Sequence, residues 1–338
     1  MQNDPIISII LPVFNGEKFL DDAIQSCLAQ SFESFELIII NDCSTDSSKE
    51  IAEKYARLDT RITLINNSSN QKLPASLNIG HKLAKGDFLL WSSDDNIFKP
   101  FFLEKSLLAI NYSKADIVYC NYDIILENGQ LKRKHKTGPV AHIIFGNTIG
   151  AAFIYKKEVF KKLNGYDEEL HTVEDFDFWL RAALNFKFFH LDENLYKYRI
   201  HCSSLSSKTV QNEHHFLNLN EKVIKVFNKL ALNLCWSQET IFFFMFVPKD
   251  RTFSFFKSHS QKILADIKKF QVQVSENSDS QSTSKLYFLL RQHLKTTSTR
   301  LDCRLFIWIL LNHPKIFFHN SYSKNETFKL ILSFFNFR

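Results

Sequence analysis

Two adjacent carboxylates follow an apolar run in the stretch GDFLLWSSDDN, residues 86–96. The apolar residues predict a buried strand, which places Asp94 and Asp95 at its end. Two like charges repel each other there, but the ends of strands in open α/β sheets are where ligands bind. The pattern therefore predicts a cation site, because Mg²⁺ and Mn²⁺ take carboxylate oxygens and leave positions for phosphate oxygens. A surface turn is the alternative interpretation of an isolated aspartate pair.

A third carboxylate, Asp42, lies in a loop that follows another apolar run, residues 35–40. This loop also falls at a predicted strand end, so Asp42 either contacts a ligand or caps a turn or helix. The glycine-rich phosphate motifs of dinucleotide-binding and P-loop proteins are absent from the sequence. Their absence disfavours a dinucleotide-binding fold of that kind and excludes a P-loop.

Three acids cluster in HTVEDFDFWLR, residues 171–181: Glu174, Asp175 and Asp177. On a helix, Glu174 and Asp177 share a face, whereas Asp175 points elsewhere. The cluster suits either a general base at the start of a helix or acidic residues that the helix dipole favours.

A basic pair follows in YRIHCSS, residues 198–204, where Arg199 and His201 suit an anion such as a diphosphate. An ordinary strand end with exposed polar groups is the alternative interpretation of this pair.

The elements that would position these residues alternate regularly. Apolar runs at residues 6–14, 35–40, 61–67 and 87–93 predict strands, and amphipathic segments between them predict helices, the third of which Gly86 would end. The alternation predicts an α/β fold, a mostly parallel sheet with helices on both faces. Residues 115–126 and 150–160 also suit strands, with a basic, turn-rich loop at residues 131–139 between them.

The last third of the chain has a different character. From about residue 209 long amphipathic helices are expected, interrupted by a polar linker at residues 275–284. We therefore expect two domains, residues 1–208 and a basic, aromatic-rich helical region at residues 209–338. Residues 210–338 hold 18 Lys or Arg and 9 Asp or Glu, whereas residues 1–209 hold 24 and 27. Such a basic region suits an anionic membrane surface or an acidic partner, and it is weak evidence for nucleic acid.

The cysteines and the opening residues suggest where the protein works. The six cysteines are scattered without a C-x-x-C pair, which argues against a zinc ribbon or a disulfide scaffold. The opening MQNDPIISII lacks the features of a signal peptide, and no apolar run approaches the roughly 18 residues of a membrane span. We expect a reduced, cytoplasmic protein, with peripheral contact to the inner face of the membrane left open.

Taken together, the motifs resemble the GT-A glycosyltransferases, specifically the inverting family 2 of bacterial surface-glycan type. The resemblance covers about residues 5–210. It is carried by SIILPVFN (8–15), ELIIINDCSTD (36–46), SLNIGHKLAKGDFLLWSSDDN (76–96), GYDEEL (165–170), EDFDFWLR (174–181) and YRIHCSSLS (198–206).

The resemblance implies a role for each matching residue. Asp42 would accept a hydrogen bond from the nucleobase, and Asp95 would bind Mn²⁺ or Mg²⁺, with Asp94 as a second ligand or nearer the ribose or donor sugar. Asp175 would be the catalytic base. His201, with Arg199 nearby, would hold the diphosphate. The nucleotide cleft would be lined by Pro12, Val13, Phe14 and Asn15.

The chain departs from the family pattern at two positions. Ser92 stands where many relatives carry a third acid, and Leu77 stands where many carry an arginine. The missing arginine affects one donor contact and leaves the aspartate pair and the base intact.

The expected function is metal-dependent, inverting transfer of a hexosyl or N-acetylhexosaminyl group from a nucleotide-sugar, with a UDP-sugar favoured. The acceptor would be a growing surface glycan or a lipid-linked glycan. The alternative is an inactive GT-A-fold protein that acts as a partner or a membrane-docking module, against which the complete set of aspartates argues. A nucleotidyltransferase would need a glycine-rich phosphate loop near the first strand, and only Gly16 is present there.

Overall fold

The computed structural model of the protein describes residues 4–205, 207, 213–246, 252–274, 281–296, 303–318 and 322–334. The chain divides into two compact units, residues 1–223 and residues 224–338. The predicted boundary between residues 208 and 209 lies outside the described residues.

The first unit is an α/β structure. Its strands are β1 (Ile7–Val13), β2 (Phe35–Asn41), β3 (Ile62–Asn66), β4 (Phe88–Trp91), β5 (Ile97–Phe98), β6 (Ile117–Leu126), β7 (Leu131–His135), β8 (Phe153–Lys156) and β9 (Phe188–Ile200). Its helices are α1 (Leu20–Leu28), α2 (Ser48–Leu58), α3 (Leu73–Leu83), α4 (Phe102–Ser113), α5 (Lys157–Lys162) and α6 (Glu174–Ala183), and α7 (Glu213–Leu234) begins in this unit.

The described strands form one sheet in the order β3-β2-β1-β4-β8-β6-β9-β5, with β7 paired to β6. The first four strands of that order run parallel, β8 runs antiparallel to β4 and β6, and β9 runs parallel to β6. Every residue of β1 and β2 is buried, as expected for central parallel strands covered on both faces. The predicted fold class is confirmed.

Two sequence-based assignments around β8 were wrong. The basic segment predicted as a loop contains β7, which pairs antiparallel with β6. Its lysines and arginine are exposed on an edge strand, where charge discourages pairing with other chains, so no alternation of apolar residues marked it. The segment predicted as strand at residues 150–160 is strand only from Phe153 to Lys156 and continues as α5.

Gly86 does not end α3. The helix stops at Leu83, and the Ala84 backbone N–H donates to the Gly80 carbonyl. Gly86 is needed because of close packing against β1, since a Cβ at this position would lie 2.7 Å from the backbone nitrogen of Ser8.

The second unit is helical in its described residues. Beyond the end of α7 it contains α8 (Gln238–Met245), α9 (Thr252–Val274), α10 (Gln281–Thr296), α11 (Cys303–Asn312) and α12 (Lys324–Ser333). Residues 275–280 of the predicted linker lie outside the described residues, and residues 281–284 are helical instead. Fully buried Arg291 donates to the carbonyls of Ile316 and Phe317 and to the Thr327 hydroxyl, which ties α10 to the segments around α12. No described helix combines the length and apolar character needed to cross a bilayer.

Candidate functional site

A cavity of about 450 Å³ lies where β1, β2 and β4 end. These strands are adjacent and parallel, so their carboxyl ends meet at one edge of the sheet, the usual position of ligands in α/β folds. The volume is in the range of small-molecule sites. Eight of the ten predicted site residues line the cavity: Pro12, Val13, Phe14, Asn15, Asp42, Asp94, Asp95 and His201. Arg199 and Asp175 are not among the lining residues.

The adjacent carboxylates lie just beyond β4. Burial, and then the charge of Asp95, raises the pKa of Asp94 to about 7. One oxygen of Asp94 is 3.4 Å from the backbone nitrogen of Phe14, a long hydrogen bond. Burial also raises the pKa of Asp95, although His201 opposes the shift. The raised pKa values mean that this partly buried environment disfavours two negative charges. A nearby cation would stabilise them.

The two oxygens of Asp95 have different surroundings. Oδ2 accepts a hydrogen bond from His201 Nε2 at 2.9 Å, whereas Oδ1 is buried without a hydrogen-bond partner. The other ring nitrogen of His201, Nδ1, lies 2.7 Å from the Ser203 hydroxyl. A buried carboxylate oxygen without a donor costs free energy unless a cation or donor reaches it. The pair therefore fits a hard divalent cation.

Arg199 supports the aspartate pair from outside the cavity. Its guanidinium donates to the backbone carbonyls of Asp95 and Glu127 at 2.9 and 2.8 Å, and to a carboxylate oxygen of Asp22 at 3.0 Å. It is buried and lies over the Phe19 ring. These contacts position the backbone of Asp95. They also occupy the Arg199 guanidinium, which the sequence suggested would bind a diphosphate.

Asp42 is buried and organises the loop before α3. Its Oδ1 accepts hydrogen bonds from the Gln71 backbone and the Asn67 side chain, both at 2.8 Å, and its Oδ2 accepts one from the Lys72 backbone at 2.9 Å. The carboxylate therefore has a structural role, and it also lines the cavity.

The loop after β1 is fixed against the loop after β2. The Asn15 side-chain oxygen accepts a hydrogen bond from the Thr45 backbone at 2.8 Å, and the Gly16 backbone donates to the Ser48 hydroxyl at 2.9 Å. A Cβ at Gly16 would lie 2.2 Å from Asp94 Oδ2. The ring of Phe14 is 49% exposed, so an aromatic face is available at the cavity.

The three acids near the start of α6 have separate environments. Asp177 is buried and pairs with Arg181 at 2.7 Å, and buried Glu174 accepts a hydrogen bond from the Thr172 backbone. Asp175 is partly exposed and accepts a hydrogen bond from the Asn147 side chain at 2.8 Å. Burial raises the pKa of Asp175, and burial together with Asp175 raises that of Glu174 to about 8.

Several residues of the cavity wall have no recognisable sequence pattern, among them Lys18, Lys72 and His171. Of these three, Lys72 stands out in the backbone, because it is one of four non-glycine residues at or beside the cavity with a positive φ: Asn15 (53°), Cys43 (62°), Lys72 (71°) and Thr172 (84°). Strained residues of this kind concentrate at functional sites.

The fold of the first unit is the GT-A fold of glycosyltransferases. The sequence profile described as Glycosyl transferase family 2 matches residues 8–184. The chain therefore belongs to glycosyl transferase family 2, as its sequence predicted.

Curated relatives agree with this assignment. An uncharacterized glycosyltransferase of Rickettsia felis is 30% identical over 230 residues, which cover 64% of this chain and 37% of the relative. An uncharacterized glycosyltransferase of Haemophilus influenzae is 29% identical over 252 residues, which cover 69% of this chain and 78% of the relative. The chain thus spans little more than a third of the first relative's length.

Solved structures share the fold. The crystal structure of S. aureus TarS 1-349 in complex with UDP superposes with a TM-score of 0.54 at 19% identity, covering 92% of this chain and 88% of TarS. A Pyrobaculum calidifontis mannosyltransferase in complex with GDP-Man and Mn²⁺ gives a TM-score of 0.52 at 10% identity, covering 94% and 89%.

Proposed function

We propose that the protein is a metal-dependent, inverting glycosyltransferase that moves a hexosyl or N-acetylhexosaminyl group from a nucleotide-sugar to a glycan or lipid-linked glycan. The observation that carries this proposal is the buried, unpartnered Oδ1 of Asp95 beside Asp94 at the cavity. A UDP-sugar is the first choice of donor. The structural neighbours support nucleotide-sugars as a class, since their structures hold UDP, UDP-GlcNAc or GDP-Man.

Asp95, with Asp94, would hold Mn²⁺ or Mg²⁺. The described residues contain no group of three or more His, Cys, Asp or Glu that could hold a metal by themselves. Substrate oxygens and water would therefore complete the coordination, as is usual for a magnesium site that works on phosphates. When bound, the ion would neutralise charge that develops on the leaving diphosphate. His201 would keep Asp95 oriented through Oδ2, and Arg199 would fix the backbone of Asp95.

The nucleotide would lie between the loops after β1 and β2. The exposed ring of Phe14 offers a stacking surface, and Asp42 offers a carboxylate oxygen to a nucleobase N–H. The backbone bonds to Asp42 would hold that oxygen in place before the donor arrives.

Asp175 would be the general base. In the inverting step, the acceptor oxygen forms a bond to the anomeric carbon while the bond from that carbon to the diphosphate oxygen breaks. The acceptor proton passes to the Asp175 carboxylate. The raised pKa of Asp175 suits proton uptake, and its partial exposure distinguishes it from the buried Glu174 and the ion-paired Asp177.

A donor screen tests the proposal. The protein is incubated with Mn²⁺ and a panel of UDP-, GDP- and dTDP-sugars, and released nucleoside diphosphate is measured with and without EDTA. We expect release from one donor class that EDTA suppresses. Absence of release and of nucleotide binding across the panel would favour the inactive GT-A-fold alternative.

We also propose peripheral contact with the inner face of the bacterial membrane, which would suit a lipid-linked acceptor and a role in cell-envelope polysaccharide synthesis. Ile307 and Leu311 lie one turn apart on α11 and are 53% and 76% exposed. Exposed Arg304 and Lys315 flank them, and residues 210–338 carry nine more basic than acidic side chains. Apolar side chains beside basic ones are typical of a helix that lies in an anionic lipid interface.

Vesicle flotation tests this contact. The full-length protein should float with anionic vesicles at low salt and dissociate at high salt, because lipid headgroup attraction is screened. The double variant Ile307→Glu, Leu311→Glu should stay behind. The control Leu58→Glu, at a site on α2 that is 73% exposed, should float like the wild type. Equal flotation of all three proteins would contradict the assignment to α11.

A further inference from the structure

Lys72 has a backbone conformation that suits glycine. Its φ is 71° and its ψ is 163°, a region populated almost only by glycine because a Cβ crowds the backbone there. Asp42 enforces this conformation by accepting hydrogen bonds from the backbone nitrogens of both Gln71 and Lys72. Glycine would adopt this backbone conformation with less strain than lysine. The stability of the fold therefore does not explain a lysine at this position.

The Lys72 side chain is the cation that the cavity can offer to a ligand. Among the described residues that line the cavity, Lys18 is paired with Glu127, whereas Lys72 has no carboxylate within ion-pair distance. Arg199 is engaged by Asp22 outside the lining. An anionic ligand in this cavity therefore meets Lys72 as its available lysine.

The same wall holds a second unsatisfied group. Nδ1 of His171 is buried and has no hydrogen-bond partner, and His171 lines the cavity with Lys72. Burial, and then the charges of Lys222 and Lys72, lowers the pKa of His171 to about 4, so its ring is neutral at pH 7. Thr172, the next residue, has a φ of 84°, which is unfavourable for a β-branched side chain. A ligand that supplies a hydrogen-bonding atom would satisfy this wall.

We propose that the Lys72 ammonium binds the diphosphate of the nucleotide donor, and that the ring of His171 contributes a hydrogen bond to the same ligand. This inference rests on the proposed function, because it assumes a nucleoside diphosphate in the cavity. It assigns that anion a protein cation in the same cavity as the aspartate pair. Donor binding therefore depends on Lys72 as well as on the divalent ion.

Calorimetric titration with UDP and GDP in Mn²⁺ tests the assignment in the full-length protein. For the nucleotide that the wild type binds, Lys72→Gly should weaken the affinity about 10-fold, and Lys72→Arg should stay within about threefold of the wild type. The loss should shrink as salt is raised, since an exposed charge contact is screened. Lys72→Gly should also raise the melting temperature by about 2–4 °C, because the strain is released.

Lys114→Gly is the matched control. Lys114 is an exposed lysine with a φ of 54° at the end of α4, and it does not line the cavity. This variant should leave nucleotide affinity unchanged.

These measurements distinguish the proposed function from the proposed role of Lys72. Failure of the wild type to bind either nucleotide would contradict the proposed function. A wild type that binds, with Lys72→Gly binding equally well, would overturn only the role of Lys72. Titration of the parent nucleoside locates the contact, because the nucleoside lacks phosphate and its binding should not change in Lys72→Gly. Equal losses for nucleoside and diphosphate, or a fall in melting temperature together with affinity, would also overturn the assignment.

Discussion

His201 Nε2 lies 2.9 Å from Oδ2 of Asp95, while Oδ1 of the same carboxylate is buried without a partner. The histidine thus satisfies one oxygen and leaves the other available to a ligand. The cation that we propose here would explain why two adjacent aspartates stand at the end of β4, because it would relieve their repulsion.

Gly16→Ala should damage the site while sparing the fold. The new Cβ would lie 2.2 Å from Asp94 Oδ2, and the Gly16 backbone is held by Ser48, so Asp94 must move. We expect loss of most Mn²⁺-dependent nucleotide binding, measured by calorimetry, with little change in melting temperature. Gly138→Ala is the control, because its nearest neighbour would be an ordinary 3.4 Å away. Normal binding by Gly16→Ala would mean that the position of Asp94 is unimportant.

Asp175→Asn should separate binding from chemistry. A neutral amide cannot take the acceptor proton, so transfer should slow by about 10²–10⁴-fold while donor affinity stays the same. Transfer is measured with the donor and acceptor that the wild type uses, and affinity by calorimetry with the nucleoside diphosphate. If the variant fails to bind the nucleotide, Asp175 is a donor contact and not the base.

Asp42→Ala should affect both stability and nucleotide affinity. The buried carboxylate accepts hydrogen bonds from the backbones of Gln71 and Lys72 and from the Asn67 side chain, so its loss removes three hydrogen bonds from this loop. We expect the free energy of unfolding to decrease by about 1–3 kcal/mol, and nucleotide binding to weaken by about the same amount. Denaturant unfolding and calorimetry measure them. A loss of stability with unchanged nucleotide affinity would leave Asp42 with a structural role alone.

His81 should make stability depend on pH. Burial lowers its pKa to about 4, and its ring contacts the Leu77 carbonyl and the Tyr155 hydroxyl. The unfolded chain binds the proton near pH 6.5, so the stabilisation is complete above that pH and is lost as the pH falls toward 4. Between pH 6.5 and 5, His81 should account for a loss of about 2 kcal/mol. The variant His81→Phe should lose less free energy of unfolding than the wild type over this interval, and parallel losses would contradict the assignment.

The alternating strands and helices were predictable because each carries a local pattern. Largely apolar runs such as β1 and β2 belong to central parallel strands, and acidic residues after such strands point to a ligand site. The strand β7 was not predictable, because an exposed, lysine-rich edge strand has no buried face to leave a pattern.

The contacts of Arg199 and Lys72 could not be read from local sequence either. Arg199 pairs with Asp22, 177 residues away, and only the tertiary fold brings β9 and α1 together. The strain at Lys72 depends on Asp42, which lies 30 residues earlier in the chain. Sequence patterns therefore identified residues that line the cavity more readily than those that hold them in place.

The central claim is that Asp95 holds the divalent ion on which sugar transfer depends. The most direct measurement is nucleoside diphosphate release by the wild type and by Asp95→Asn over a range of Mn²⁺ concentrations. The substitution keeps the volume of the side chain and removes its charge, so the fold should persist. We predict that EDTA abolishes wild-type release, and that the variant loses most of its activity at every Mn²⁺ concentration. Full activity of Asp95→Asn, or undiminished wild-type activity in EDTA, would contradict the account.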